Sequence, residues 1–150
     1  MEFLMNRKTM VSLPAVIILA GDLILKNAAR GQHRVLIPGI LSLDYTLNSG
    51  FALGLFPDAA LTATILSLII LTAVLILLIR FPWNKGSLIG FGLVLGGAFG
   101  NLYDRLRFSA VRDMIRLDFM HFYIFNPADA GVVVGAVLIV LFTLFAKKEQ

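Results

Sequence analysis

The stretch Ala59–Ile79, AALTATILSLIILTAVLILLI, carries no charged residue. A helix crossing a hydrocarbon core of ~30 Å needs about 20 residues at ~1.5 Å each, and this stretch supplies them. Two further uncharged runs, Ser87–Tyr103 and Ala130–Ala146, have the same character. The first apolar segment, Met10 to about Ala29, differs in holding Asp22 and Lys26. Spans are therefore expected over about 10–29, 59–79, 87–103 and 128–146. The fold class is an all-α membrane protein of four transmembrane helices, with small extramembrane elements between them.

Composition agrees. The chain is 59% hydrophobic and 15% charged, against ~45–50% and ~25% for soluble domains. A chain of this length cannot hide that much apolar surface in its own core, so lipid must solvate it. A single domain over residues 1–150 is expected. Cysteine is absent, which excludes thiol nucleophiles, disulfides and thiolate metal sites. The net charge of +4 is spread over the connections, with no basic helix or aromatic-interleaved patch that would bind nucleic acid. Arg7 and Lys8 before an apolar stretch suggest a signal peptide. No small-x-small cleavage site follows, however. Asp22 stands after Leu19-Ala20-Gly21, where a lipidated cysteine would sit, so the segment is read as a retained span.

Four spans place both termini on one side, joined there by Arg80–Gly86. The other side receives Arg30–Asp58 and Asp104–Asn126. Lys and Arg number six on the terminal side and seven on the other, so the positive-inside rule does not orient the chain. The short basic connections favour cytoplasmic termini. The acids are more informative: all seven aspartates fall on the non-terminal side. Asp22, Asp58, Asp104 and Asp129 lie at the same end of four different spans. Acids at membrane depth are costly and usually face an interior or cavity, so a polar site is expected at one membrane face.

In the first outer segment, Val35-Leu36-Ile37 and Leu41–Leu47 flank Pro38-Gly39. Two β-favouring runs around a turn signal predict a small strand-rich extracytoplasmic element. The second outer segment, Val111–Phe125, mixes charges with Phe119, Phe122, Tyr123 and Phe125, and a short interfacial loop or helix is expected there.

Asp22 and Lys26 are four apart and can pair on one helix face. Gly92, Gly96, Gly100 and Asp104 form a stripe at intervals of four. Such a stripe lets helices approach closely in lipid and carries Asp104 against a neighbour. Asn101 and Arg105 form a second stripe. Asn126-Pro127-Ala128-Asp129 is a helix start, with an Asn cap, Pro at the first position and an acid favoured by the dipole. His33 and His121 lack a ligand pattern, so no metal is expected. Serine-hydrolase chemistry lacks its Gly-x-Ser-x-Gly elbow. What remains is a surplus of carboxylates, two of which can share a proton when close.

At these residues the chain resembles signal peptidase II, the bacterial membrane aspartyl peptidase family. Asp22-x-x-x-Lys26 matches its first motif, and Asn48-Ser49-Gly50-Phe51-Ala52-Leu53-Gly54 resembles its second, with Leu53 in place of the usual Phe. Gly96-Gly97-Ala98-Phe99-Gly100-Asn101-Leu102-Tyr103-Asp104-Arg105 matches the third. Val111-Arg112-Asp113 and Phe125-Asn126-Pro127-Ala128-Asp129 match the last two. Met114 departs from the usual Phe, implying altered packing.

The resemblance implies that Asp113 and Asp129 are the catalytic pair. Asn48 and Arg105 would contact substrate, while Gly50, Asn101, Asp104, Asn126 and Ala128 support the site. Asp22 and Lys26 would be structural. The implied substrate is a diacylglyceryl-modified prolipoprotein cut just before its lipidated cysteine, with no cofactor or metal. The implied setting is a functional monomer among lipids of the bacterial cytoplasmic (inner) membrane, both termini cytoplasmic and the active site near the outer face. The outer strands and the segment around Asp113 would close over the bond. A transport subunit would instead place acids near the midplane, and a scaffold would not need the five blocks. A presenilin-type Gly-x-Gly-Asp signature is broken by Leu19.

Overall fold

The computed structural model describes residues 6–50, 60–120 and 123–145. Phe51–Gly54 of the second block, Asp58, His121, Phe122, both glutamates, Lys147 and Lys148 lie outside the described residues.

Four helices, α1 (Arg7–Ala28), α2 (Ala60–Arg80), α3 (Lys85–Phe108) and α4 (Pro127–Leu144), are each long and apolar enough to cross a membrane. Their ends are specified locally. Asn6 caps α1 by accepting from the Thr9 N–H at 2.9 Å, and Asn84 caps α3 through Ser87 at 2.8 Å. The start of α1 is tied to the end of α2, where Arg7 donates to the Leu78 and Phe81 carbonyls. Asn84 likewise donates to the Phe142 carbonyl at 2.6 Å, joining the start of α3 to the end of α4. The remaining four helix ends meet at the opposite pole of the bundle.

The centre of the bundle is α3. One glycine stripe faces α1: a Cβ on Gly92 would meet Val11 and Pro14, and one on Gly96 would run into the Ala15 carbonyl and Ile18. A second stripe, absent from the sequence reading, faces α4. There Gly90 lies against Gly135, and Gly97 lies against the Ala128 carbonyl. Close backbone approach replaces apolar burial as the source of helix association in lipid. α2 packs on α3 through Leu71, Leu95 and Leu102. Most of its other large side chains, such as Leu61, Ile69 and Ile79, are exposed, as lipid-facing residues are.

At the opposite pole sits a four-stranded antiparallel sheet in the order β1-β2-β3-β4. The expected strands are present as β1 (His33–Ile37) and β2 (Leu41–Asn48). The Ile40 N–H donates to the Ile37 carbonyl at 3.0 Å, and Gly39 holds φ at +72°, as position i+2 of a Pro-Gly turn requires.

The second outer segment corrects the expectation. Instead of an interfacial loop or helix it supplies β3 (Val111–Leu117) and β4 (Ile124–Phe125). The reason is chemical. A half-buried strand alternates apolar with polar residues, whereas both faces of β3 are buried here, with Arg112 on one and Asp113 on the other. The α3 helix also runs past Tyr103 to Phe108, so Asp104 and Arg105 belong to the helix. It ends at Ser109 in the left-handed region, φ 55°, which turns the chain directly into β3.

Candidate active site

Four buried charges form the floor of the site. Asp22, Lys26 and Asp104 are 0% exposed and Arg112 is 4% exposed, two anions against two cations. Lys26 Nζ lies 2.6 Å from Asp22 Oδ2, 3.1 Å from Asp104 Oδ2 and 3.1 Å from Asn101 Oδ1. Asp104 Oδ1 accepts from Arg112 Nη2 at 2.7 Å and from its Nε at 3.1 Å. Asp104 Oδ2 accepts the Arg112 main-chain N–H at 3.0 Å. Arg112 also donates to Asn27 at 2.6 Å and lies 4.7 Å from the Phe108 ring. The sequence places Asp22 and Lys26 as a local pair; in the structure they join α1, α3, β3 and α4. The fourth link is Asp22 Oδ1, which accepts the Ala128 N–H at 3.0 Å, so α1 satisfies an open donor at the start of α4. Gly100 makes room for this, since a Cβ there would stand 2.6 Å from Asp22 Oδ2.

Above this floor three asparagines position two carboxylates. Asn126 and Asp129 form a reciprocal capping box on α4. Asn101 accepts from Lys26 and from Asn126 Nδ2, both at 3.1 Å, and donates to Asp129 Oδ1 at 2.7 Å. Asn126 Nδ2 also donates to Asp113 Oδ1 at 2.7 Å. The other oxygen of Asp113 accepts from Asn48 Nδ2 at 3.0 Å, and Asn48 Oδ1 takes the Gly50 N–H at 3.0 Å. Register explains these meetings. Thr46 opposes Asp113 and Asn48 opposes Val111, making Asn48 the diagonal neighbour of Asp113 on one sheet face. Pairing of Ile115 with Phe125 draws Asn126 alongside.

Asp113 is 2% exposed, and among the described residues its hydrogen bonds come only from neutral amides. Burial, followed by the charge of Asp129, raises its pKa to about 7, against the opposing effect of the two asparagine bonds. Tyr123, read from sequence only as an interfacial aromatic, lies beside the pair. Burial and then the charges of Asp129 and Asp113 raise its hydroxyl above the usual value, and its ring stacks on Phe125 at 5.5 Å. Arg105, one turn beyond Asn101, is within electrostatic reach of Asp129 and Asp113. Among the described residues it makes no ion pair.

The structure thus gathers Asp22, Lys26, Asn48, Gly50, Asn101, Asp104, Arg105, Asp113, Asn126, Ala128 and Asp129 around one pole. Met114, 1% exposed, packs on the opposite face of β3 from Asp113 and lines a groove with Leu25 and Ala28 of α1. Its flexible side chain therefore bears on the sheet–helix contact. His33 pairs with Asp44 on the hairpin at 2.6 Å. Arg112 and Tyr123 are the additions. Arg112 occupies the free position of the Val-x-Asp motif, and Tyr123 carried no sequence signal beyond its aromatic neighbours.

A sequence profile of the family described as signal peptidase (SPase) II matches residues 14–145. This chain belongs to that family. It is 32% identical over 142 residues to the lipoprotein signal peptidase of Lactobacillus johnsonii, covering 91% of this chain and 92% of the relative. It is 37% identical over 129 residues to that of Lactobacillus gasseri, covering 85% and 83%. The fold is similar to a bacterial membrane enzyme solved by the in meso method at 2.3 Å resolution, with TM-score 0.81 and 29% identity over 92% of this chain and 91% of that one. A second such structure, at 1.9 Å, gives TM-score 0.78 and 28% identity over 92% of each chain. As a signal peptidase II the chain is a membrane peptidase that cleaves signal peptides from prolipoproteins, and the transport and scaffold readings are not favoured.

Proposed function

We propose that Asp113 and Asp129 hydrolyse the peptide bond as an acid–base pair, and that Asn126 sets their relation. The observation that carries this is the double role of Asn126. Its side-chain amide holds Asp113 at 2.7 Å, while its main-chain N–H reaches Asp129 Oδ2 at 3.3 Å. One residue ties both carboxylates, and the charge of one raises the pKa of the other. That is the condition under which two acids share a proton.

In the proposed reaction, ionised Asp129 takes a proton from water as its oxygen attacks the scissile carbonyl carbon. Protonated Asp113 gives its proton to the carbonyl oxygen. The resulting gem-diol collapses as one hydroxyl proton returns to Asp113, the C–N bond breaks, and a proton passes from Asp129 to the leaving nitrogen. Asn48 and Arg105 orient the substrate backbone. Asp22, Lys26, Asn101, Asp104 and Ala128 hold the pair in place.

The proposed substrate is a prolipoprotein bearing diacylglyceryl on its lipobox cysteine, cut just before that residue. Acyl chains stay in lipid while the bond reaches carboxylates at the pole of the bundle. The same reading places the termini in the cytoplasm, the site at the outer face of the cytoplasmic membrane, and a complete site within a single-domain monomer. Purified chain incubated with diacylglyceryl-modified and unmodified precursor tests it. Mass spectrometry should show a product beginning with the lipidated cysteine from the modified precursor alone. Equal cutting of both would overturn the lipid requirement.

A further inference from the structure

At the pole opposite the carboxylates, α1 and α2 both rest on α3 and are joined to each other by Arg7. Between them the three helices leave a groove of about 580 Å³. Its length is apolar, lined by Val11 and Ala15 of α1 and by Leu95 and Phe99 of α3, and its mouth is formed by Arg7 and Lys8. Neither cation has an acidic partner among the described residues. Arg7 is held in place by the Leu78 and Phe81 carbonyls, and Lys8 is exposed.

From this arrangement we infer that the groove binds an anionic glycerophospholipid, with its phosphate at Arg7 and Lys8 and one acyl chain laid along α1. Three features carry the assignment. The charges sit at the first turn of a spanning helix, at headgroup level, where basic pockets between transmembrane helices take anionic headgroups. From Lys8 to Ala15 the groove follows α1 for about 10 Å, a depth that suits an acyl chain within one leaflet of ~15 Å. The described lining holds no acid, so charge complementarity selects an anionic over a zwitterionic lipid. The site is separate from the carboxylate pair and serves no step of the reaction above.

The test uses full-length protein in nanodiscs containing phosphatidylcholine and phosphatidylglycerol, with retained lipid read by native mass spectrometry. Wild type should retain phosphatidylglycerol preferentially. Lys8→Gln should weaken that retention about fivefold, the effect of one basic residue near a membrane surface. Ser12→Phe, at an exposed position on the groove wall, should also displace the lipid while leaving both cations intact. Lys85→Gln, at the same pole but off the groove, should leave retention unchanged. Equal retention of both lipids by wild type would overturn the inference. So would a Lys85→Gln loss as large as that of Lys8→Gln, since it would mark diffuse surface charge. Undiminished retention in Ser12→Phe would remove the acyl-chain assignment.

Discussion

Asn101 donates its side-chain amide to Asp129 Oδ1 at 2.7 Å, while its carbonyl oxygen accepts from the buried Lys26 at 3.1 Å. The cation therefore fixes which end of the Asn101 amide faces the carboxylate. Replacing Asn101 with Ala frees Asp129 to turn within its capping box. The expected outcome is a fall in kcat of about a hundredfold, as for a small misplacement of a reacting group, with KM little changed. Steady-state kinetics on lipidated precursor checks this, and a loss confined to KM would reassign Asn101 to substrate binding.

Removing Lys26 acts differently. Among the described residues, Lys26→Met leaves Asp22 without a paired cation and Asp104 with Arg112 alone, and breaking a buried ion pair from one side costs about 3–5 kcal/mol. Thermal unfolding in lipid should show a loss of that order, and activity should fall with the folded fraction.

Packing gives a third expectation. A Cβ on Gly100 would stand 2.6 Å from Asp22 Oδ2, so Gly100→Ala pushes Asp22 away from both Lys26 and the start of α4. Gly96→Leu meets the Ala15 backbone, which cannot move aside. Both variants should lower the yield of folded protein, with Gly96→Leu the more severe. Size-exclusion profiles after purification measure it.

The pKa of Asp113, about 7, makes a pH prediction with a definite sign. Between the ordinary carboxylate range near 3.9 and about 7, the folded protein holds a proton that the unfolded chain has released. Stability therefore falls as pH rises through that window and levels off above it. Asp113→Asn removes this fall, so its stability relative to wild type should grow from pH 5 to pH 8. Turnover should decline on the alkaline side with an apparent pKa near 7, a value belonging to the pair.

Much of the fold was legible in the sequence because lipid imposes a simple rule. Uncharged runs of about 20 residues span, and the Pro38-Gly39 signal between β-favouring runs marks a hairpin. The strand at Val111–Leu117 escaped because Arg112 and Asp113 both find buried partners, which erases the alternation that exposes a strand. The second glycine stripe escaped for a related reason. Gly90 and Gly97 are seven apart, two helical turns, and the shorter-period stripe beside them draws the eye first. Among candidate site residues, the capping motif located Asp129 and the four-residue spacing paired Asp22 with Lys26. That Lys26 also reaches Asn101 and Asp104 depends on how α1 crosses α3, which no local spacing encodes.

If Asp113 and Asp129 work as one acid–base pair, cleavage by Asp129→Asn is where it shows. The substitution keeps volume and much of the cap, so the protein should fold with near-native thermal stability. Turnover of diacylglyceryl-modified prolipoprotein should drop by several orders of magnitude, with the precursor still bound. Cleavage at the wild-type rate by the folded variant would contradict it, leaving Asp129 as a helix cap alone.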